Sequence, residues 1–198
     1  LIVGDVAFGK TEVILRSVFL VSKSSYQSII LVPTTLLARQ HFYTFESRLK
    51  SFNINVKQLS RFISSKDKIK ILDDLKNGKI DVIISTHGIL SDSIKFKNLG
   101  LVVVDEEQHF GVKQKEKLKN ISKSAHFISM SATPIPRTLS QSLNGIKDLS
   151  FILTPPFERL SVRTYVTKFD ELTIKEAIKR EVIGRKGGVF IVSQKIND

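Results

Sequence analysis

Two short runs of this sequence are apolar at every position rather than at every second one. They lie at residues 29–32 (Ile-Ile-Leu-Val) and 101–104 (Leu-Val-Val-Val). A strand with one exposed face alternates apolar and polar residues, whereas a strand covered on both faces does not, and the second pattern is typical of parallel sheets. The chain is therefore expected to contain a parallel sheet with helices on both faces.

Short β-branched runs alternate with longer amphipathic stretches along most of the chain. Strands are predicted at residues 1–3, 28–32, 53–59, 81–85, 101–104, 127–130 and 149–153. Helices are predicted at residues 10–21, 35–50, 66–77, 113–120 and 136–143. Strand–helix alternation with right-handed crossovers predicts an α/β fold with a mostly parallel, doubly wound sheet.

A second unit is predicted after Pro155 and Pro156, which should end any regular element. Within it, residues 162–167 and 189–192 are predicted strands and residues 171–183 a predicted helix. These residues are too few for an independent core, so we interpret them as the opening β-α-β of a second domain. The predicted division is a first domain at 1–153 with a truncated N-terminal strand, a linker at 154–160, and an incomplete second domain at 161–198.

Composition narrows the possible classes of protein. No run approaches the roughly 18 apolar residues of a membrane span, and the absence of cysteine excludes disulfides and thiolate metal sites. Lys and Arg total 31 against 19 Asp and Glu, which gives a formal net charge of +12 at pH 7. This balance favours a polyanionic partner, with nucleic acid ahead of an anionic membrane surface; plain solubility is the alternative.

A phosphate-binding loop is predicted near the start of the chain. The pattern GxxxxGK[ST] is satisfied between a predicted strand and a predicted helix by Gly4, Asp5, Val6, Ala7, Phe8, Gly9, Lys10 and Thr11. Its glycines let backbone N–H groups converge on a phosphate, and the helix that follows adds its dipole. Lys10 is expected to reach the β- and γ-phosphates and the Thr11 hydroxyl to bind Mg²⁺. Glu12 completes the predicted nucleotide-binding set; a chance glycine turn with a surface lysine is the alternative.

Two carboxylates, Asp105 and Glu106, follow the second apolar run. They should lie at the carboxyl end of a buried strand, where ligands bind in open α/β sheets. Asp105 is expected to hold Mg²⁺ through water and Glu106 to polarise the attacking water. The alternative is that both acids are solvated and simply open a turn. This interpretation is the weaker one, because the phosphate loop supplies the other half of a nucleotide site.

Several segments, in this order, resemble the motifs of superfamily-2 helicases and translocases. They are residues 33–41 (Pro-Thr-Thr-Leu-Leu-Ala-Arg-Gln-His), 85–90 (Ser-Thr-His-Gly-Ile-Leu), 105–108 (Asp-Glu-Glu-Gln) and 131–133 (Ser-Ala-Thr), extended through residue 139. Two bacterial groups share this set, the transcription-repair coupling factors and the RecG-type branch-migration helicases. Three features are more similar to the coupling factors than to the RecG-type helicases. They are Phe8 in the loop, residues 59–62 (Leu-Ser-Arg-Phe) and the amino-acid sequence of residues 105–108. Ala7 and His109 depart from the usual residues of these groups.

The resemblance implies an ATP- and Mg²⁺-dependent translocase on double-stranded DNA, located in the bacterial cytoplasm and not on a membrane. The chain would be the first RecA-like motor domain and the start of the second. Contacts to RNA polymerase and excision-repair proteins would be made by regions outside this chain. Because the second domain would supply an arginine finger, the fragment alone is expected to be inactive. A RecG-like fork-remodelling helicase and a non-hydrolysing nucleotide-dependent DNA-binding module are the alternatives.

The resemblance also implies roles for residues outside the nucleotide motifs. Residues at positions that face the DNA backbone are Thr34, Thr35, Arg39, Thr86 and His87. Hydroxyl, backbone N–H and Arg groups can bond phosphates without reading bases, although helix capping by Thr34 and ordinary surface placement remain open. Residues expected to couple the nucleotide state to the grip on DNA are Gln108, Ser131 and Thr133.

Overall fold

The computed structural model describes residues 1–91, 94–132, 148–157 and 162–192. The chain divides into two units, Leu1–Arg159 and Leu160–Asp198.

Seven strands of the first unit form one sheet. They are β1 (Ile2–Gly4), β2 (Gln27–Leu31), β3 (Val56–Leu59), β4 (Val82–Ser85), β5 (Leu99–Asp105), β6 (His126–Ser131) and β7 (Ser150–Ile152). The strand order is β3-β4-β2-β5-β6-β1-β7, and every neighbouring pair is parallel. The seven strands predicted for this unit are confirmed, with ends that shift by up to three residues, and so is the α/β class with its parallel sheet.

Four helices of the first unit are α1 (Lys10–Lys23), α2 (Thr35–Leu49), α3 (Ser65–Lys76) and α4 (Val112–Ile121). These four predicted helices are confirmed, and the helix predicted at 136–143 lies outside the described residues. None of the helices within the described ranges is both long enough and apolar enough to cross a membrane.

The core lies on both faces of the sheet. Ile30 and Val103 pack with apolar residues of α1 and α2 on one face. Their chain neighbours Leu31 and Val104 pack with residues of α3 and α4 on the other face. Successive side chains of a strand point to opposite faces, so two buried faces require apolar residues at every position. This arrangement explains why residues 29–32 and 101–104 are apolar at every position.

The described residues of the second unit contain one helix, α5 (Glu171–Lys179), continued by a π-helical turn at Arg180–Gly184. The predicted strands at 162–167 and 189–192 are wrong, because the described residues of this unit form no strand. A strand requires a hydrogen-bonded neighbour and a covered apolar face, and the apolar side chains here are open, with Val166 95% and Phe190 96% exposed. The interpretation of this unit as the opening of a second RecA-like domain remains a prediction.

Parallel pairing brings the carboxyl ends of the strands to one edge of the sheet. The candidate residues lie along that edge in the order of the strands. They are the loop after β3, Thr86 after β4, Thr34 after β2, Asp105 of β5, Ser131 of β6 and Gly4 of β1. Nearly all the residues singled out from the sequence are therefore close to one edge.

Candidate active site

The loop between β1 and α1 curls through two residues with left-handed backbone. Ala7 has φ 62° and Gly9 has φ 91°, and the Phe8 N–H donates to the Asp5 carbonyl at 3.2 Å. Gly9 precedes α1 without a side-chain cap among the described residues. A curled backbone that leads into a helix N-terminus is a concavity suited to an anion. Ala7 thus adopts a conformation that glycine adopts more easily.

Lys10 lies in the first turn of α1 with its ammonium group held over this loop. Its Nζ donates to the Gly4 carbonyl at 2.5 Å and to the Asp5 carbonyl at 3.2 Å. Thr11 follows on the same turn and is half-buried. The only cation of the predicted octapeptide is therefore already placed against the loop backbone.

Glu12 of the predicted nucleotide-binding set is engaged by two arginines. Its Oε1 lies 3.1 Å from Arg16 Nε, and its Oε2 lies 3.2 Å from Arg48 Nη1 on α2. The hydrogen bond from Arg16, followed by that from Arg48, lowers the pKa of the Glu12 carboxyl. This carboxylate therefore ties α1 to α2 at the surface.

The acid pair ends β5 in two different environments. Asp105 is half-buried, and its Oδ2 lies 3.2 Å from Nε2 of His41 on α2. Glu106 has left-handed backbone with φ 51°, and its N–H donates to the Met130 carbonyl at 3.0 Å. A left-handed conformation is costly for a residue other than glycine and is found preferentially at functional sites.

A short series of hydrogen bonds connects Glu106 to the end of β6. The Gln108 amide donates to Glu106 Oε2, and the Ser131 hydroxyl donates to Gln108 Oε1 at 3.3 Å. The structure therefore brings together Gln108 and Ser131, two of the three residues expected to couple the sites. The third, Thr133, lies outside the described residues.

A groove of about 680 Å³ lies beside this site, over the carboxyl ends of β2, β3 and β4. Four of the predicted DNA-facing residues line it: Thr34, Thr35, Thr86 and His87. The Thr34 hydroxyl also caps α2 by accepting from the Leu37 N–H at 3.2 Å. Arg39 is not among the lining residues, and its guanidinium lies 5.7 Å from the centre of the Tyr43 ring. Ser60 and Arg61, from the segment 59–62, also line the groove, together with Ser65 and Lys68, for which no role was predicted.

The chemistry of the site fits a nucleotide with Mg²⁺. A curled loop, a helix N-terminus and the Lys10 ammonium suit phosphate oxygens. Mg²⁺ prefers oxygen ligands and keeps several waters, so that one or two protein oxygens suffice beside the phosphates. The Thr11 hydroxyl and the Asp105 carboxylate are two oxygen groups of this kind at the edge. His41 engages Oδ2 of Asp105.

His41 is the site residue that sequence reasoning missed. His41 ends the helicase-like segment 33–41, but no role was predicted for it. A signal was present, because His41 falls on the face of α2 that also buries Ala38, Phe45 and Leu49. A polar side chain on the buried face of a helix needs a hydrogen-bonding partner.

Comparison with known proteins relates the chain to a family of helicases. Residues 1–142 match the model of the DEAD/DEAH box helicase family. The chain is 52% identical over 202 aligned residues to the transcription-repair-coupling factor of Rickettsia prowazekii (strain Madrid E). The alignment covers 100% of this chain and 18% of the relative. It is 44% identical over 198 residues to that of Escherichia coli (strain K12), covering 100% of this chain and 17% of the relative. The chain thus spans less than a fifth of the length of these relatives, and the resemblance to coupling factors noted in the sequence is confirmed.

Solved structures show the same fold. A structure of RecG bound to a three-way DNA junction superposes with a TM-score of 0.75 and 34% identity, over 94% of this chain and 25% of that one. The helicase MrfA bound to DNA superposes with a TM-score of 0.59 and 20% identity, over 77% of this chain and 24% of that one. Because the identity to MrfA is only 20%, this similarity shows the fold alone.

Proposed function

Because the chain belongs to the DEAD/DEAH box helicase family, we propose that it is the ATP-hydrolysing part of a motor that moves along double-stranded DNA. One observation carries the proposal. The phosphate loop and the acid pair share an edge of the sheet with a groove that is lined by hydroxyl groups and a histidine. A nucleotide site beside a groove of this chemistry suits a protein that uses ATP to change its grip on a polyanion.

In the proposed hydrolysis each residue has one task. Lys10 neutralises charge on the β- and γ-phosphates, and Thr11 and Asp105 hold Mg²⁺, with Asp105 acting through water. Glu106 accepts a proton from the attacking water and directs that water at the γ-phosphate. Mg²⁺, when bound, offsets the negative charge that develops on the transferring phosphoryl group.

Gln108 and Ser131 give the nucleotide state a route to the rest of the domain. The Gln108 amide bonds the carboxylate that would act as the base, and Ser131 bonds Gln108 from the end of β6. A change in the hydrogen bonding of Glu106 during hydrolysis would therefore alter the Glu106–Gln108 contact and, through it, the Gln108–Ser131 contact at the end of β6. We assign these residues, with Thr133, to coupling between hydrolysis and DNA grip.

The groove is proposed to bind the DNA backbone. Thr35 and Thr86 offer hydroxyl groups, which bond phosphate oxygens whatever the base. The +12 net charge of the chain adds attraction that does not depend on sequence. Arg39 lies on the same helix as Thr35, outside the groove, and is proposed to extend the backbone contacts.

The proposed biological role follows the coupling factors. The motor would displace stalled RNA polymerase and recruit excision-repair proteins through regions outside this chain, in the bacterial cytoplasm. Identity of 44–52% to coupling factors from several bacteria supports this role. The RecG structure favours a fork-remodelling helicase as the second candidate. A non-hydrolysing binding module is disfavoured because Lys10 and Glu106 are both present. That the 198 residues alone are inactive stays a prediction.

DNA affinity of the complete protein is expected to be nearly indifferent to sequence and to fall steeply with salt. Each neutralised phosphate releases counterions, so log K against log salt should have a slope of about −3 or steeper if at least four phosphates are contacted. The measurement is a fluorescence-anisotropy titration of duplexes of unrelated sequence at several salt concentrations. A strong base preference with a flat salt response would contradict a backbone-binding groove.

A pair of threonine variants locates the binding surface. Thr86→Val should weaken binding about tenfold, because a hydrogen bond to a charged oxygen is lost. Thr44→Val on α2, which is exposed and does not line the groove, is the control and should bind as the wild type does. Equal affinity of the two variants would remove Thr86 from the interface.

A further inference from the structure

The helix that borders the groove also contacts Asp105, the first residue of the acid pair. His41 lies on the buried face of α2, and its Nε2 is 3.2 Å from Asp105 Oδ2. The side chains of His41 and Asp105 are only 9% and 13% exposed. With Asp105 ionised, its oxygens can only accept, so the imidazole donates its Nε2–H to Oδ2. The contact is thus a largely desolvated hydrogen bond rather than a loose surface pair.

The contact distinguishes the two carboxylate oxygens of Asp105. A carboxylate at a strand end can rotate about two side-chain bonds, and neither of its oxygens is distinguished by chemistry alone. His41 engages Oδ2, and Oδ1 is the oxygen that this contact leaves with its full accepting capacity for a water on Mg²⁺. A hydrogen bond from outside the coordination sphere that sets the orientation of a metal-binding carboxylate commonly has a large effect on metal affinity.

His41 is also attached to the groove through its own helix. Thr34 caps α2, and Thr35, its first residue, lines the groove. His41 follows six residues later, which is about 9 Å along the helix axis. A helix is stiff over this length, so the same rigid element borders the groove and holds Asp105.

We propose that His41 is a positioning residue: its Nε2–H holds the Asp105 carboxylate in the orientation in which Oδ1 serves the Mg²⁺ site. The proposal rests on the proposed function, since it takes Asp105 as the carboxylate that serves Mg²⁺. It assigns to the helix of residues 35–49 a direct part in assembling the nucleotide site, in addition to its place beside the groove. His41 itself touches neither the nucleotide nor the metal.

The test uses two amide variants of the complete protein. His41→Gln places an amide nitrogen as many bonds from the backbone as Nε2 is, whereas His41→Asn places it one bond short. His126→Asn, at an exposed position at the start of β6, is the matched control. The measurement is the Mg²⁺ concentration that gives half-maximal binding of a fluorescent, non-hydrolysable ATP analogue, without DNA. Thermal unfolding of each variant is recorded alongside.

We expect His41→Asn to raise that Mg²⁺ concentration about tenfold. His41→Gln and His126→Asn should stay within about threefold of the wild type. A wild-type Mg²⁺ requirement in His41→Asn, whatever its melting temperature, would overturn the inference and leave the proposed function intact. So would equal Mg²⁺ requirements in His41→Asn and His41→Gln. Wild-type protein that binds the analogue with no Mg²⁺ dependence would overturn both proposals.

A third variant covers the case in which His41→Asn does not fold. His41→Met has the reach of glutamine but no donor, so it is compared with His41→Gln in the same titration. A higher Mg²⁺ requirement in the Met variant supports the role of the N–H donor, and equal requirements overturn it.

Discussion

Lys10→Ala is expected to abolish ATP turnover by the complete protein, with a loss of about 10²–10³-fold or more in kcat. The ammonium group lies over the phosphate loop, where it donates to the Gly4 and Asp5 carbonyls. In a bound nucleotide the same group would face the β- and γ-phosphates, and removing it leaves their charge uncompensated in the transition state. Steady-state phosphate release at saturating Mg²⁺ and DNA measures the effect.

The control for this variant is Lys119→Ala on α4, an exposed lysine on another helix with no role in the proposed site. It removes the same charge and should keep wild-type turnover. Lys10→Ala itself should unfold at nearly the wild-type temperature, since alanine favours the helix and the lost hydrogen bonds are partly exposed. Near-normal hydrolysis by folded Lys10→Ala would remove Lys10 from the proposed role.

Glu106→Gln should retain Mg·ATP binding while hydrolysis slows by about 10²–10⁴-fold. The amide keeps the size of the carboxylate and an oxygen that can accept from Gln108, but it cannot take a proton from water. The measurements are equilibrium binding of a fluorescent nucleotide and single-turnover hydrolysis. The two together separate binding from chemistry.

Glu116→Gln, at an exposed carboxylate on α4, is the matched control for this variant. It lies outside the predicted catalytic set and should hydrolyse ATP at close to the wild-type rate. A Glu106→Gln protein that loses nucleotide binding but keeps its turnover per bound ATP would reverse the assignment, since Glu106 would then be a ligand rather than a base.

Those parts of the fold that depend on local pattern were predictable from the sequence. Residues 29–32 and 101–104 are apolar throughout because their strands are covered on both faces, and this condition is visible without any tertiary information. The phosphate loop and the acid pair were found because their spacing reflects a local chemical requirement. Their placement at one edge then follows from parallel pairing.

Features that depend on contacts between distant residues were not predictable. The bond between His41 and Asp105 joins residues 64 positions apart in the chain, and nothing local to either residue specifies the other. The left-handed backbone of Glu106 is likewise imposed by its surroundings, since glutamate has no preference for it. The strands expected at 162–167 and 189–192 had suitable composition, but a strand also needs a hydrogen-bonded neighbour, which composition does not supply.

Movement along duplex DNA is the property that the proposed function requires most directly. It can be measured as release of a labelled third strand from a DNA triplex by the complete protein, with ATP and Mg²⁺ at saturation. We predict ATP-dependent release from triplexes set in duplexes of unrelated flanking sequence, and its loss in Glu106→Gln. DNA-stimulated ATP hydrolysis by the wild type without release of the third strand would contradict the proposal that this chain is part of a translocating motor.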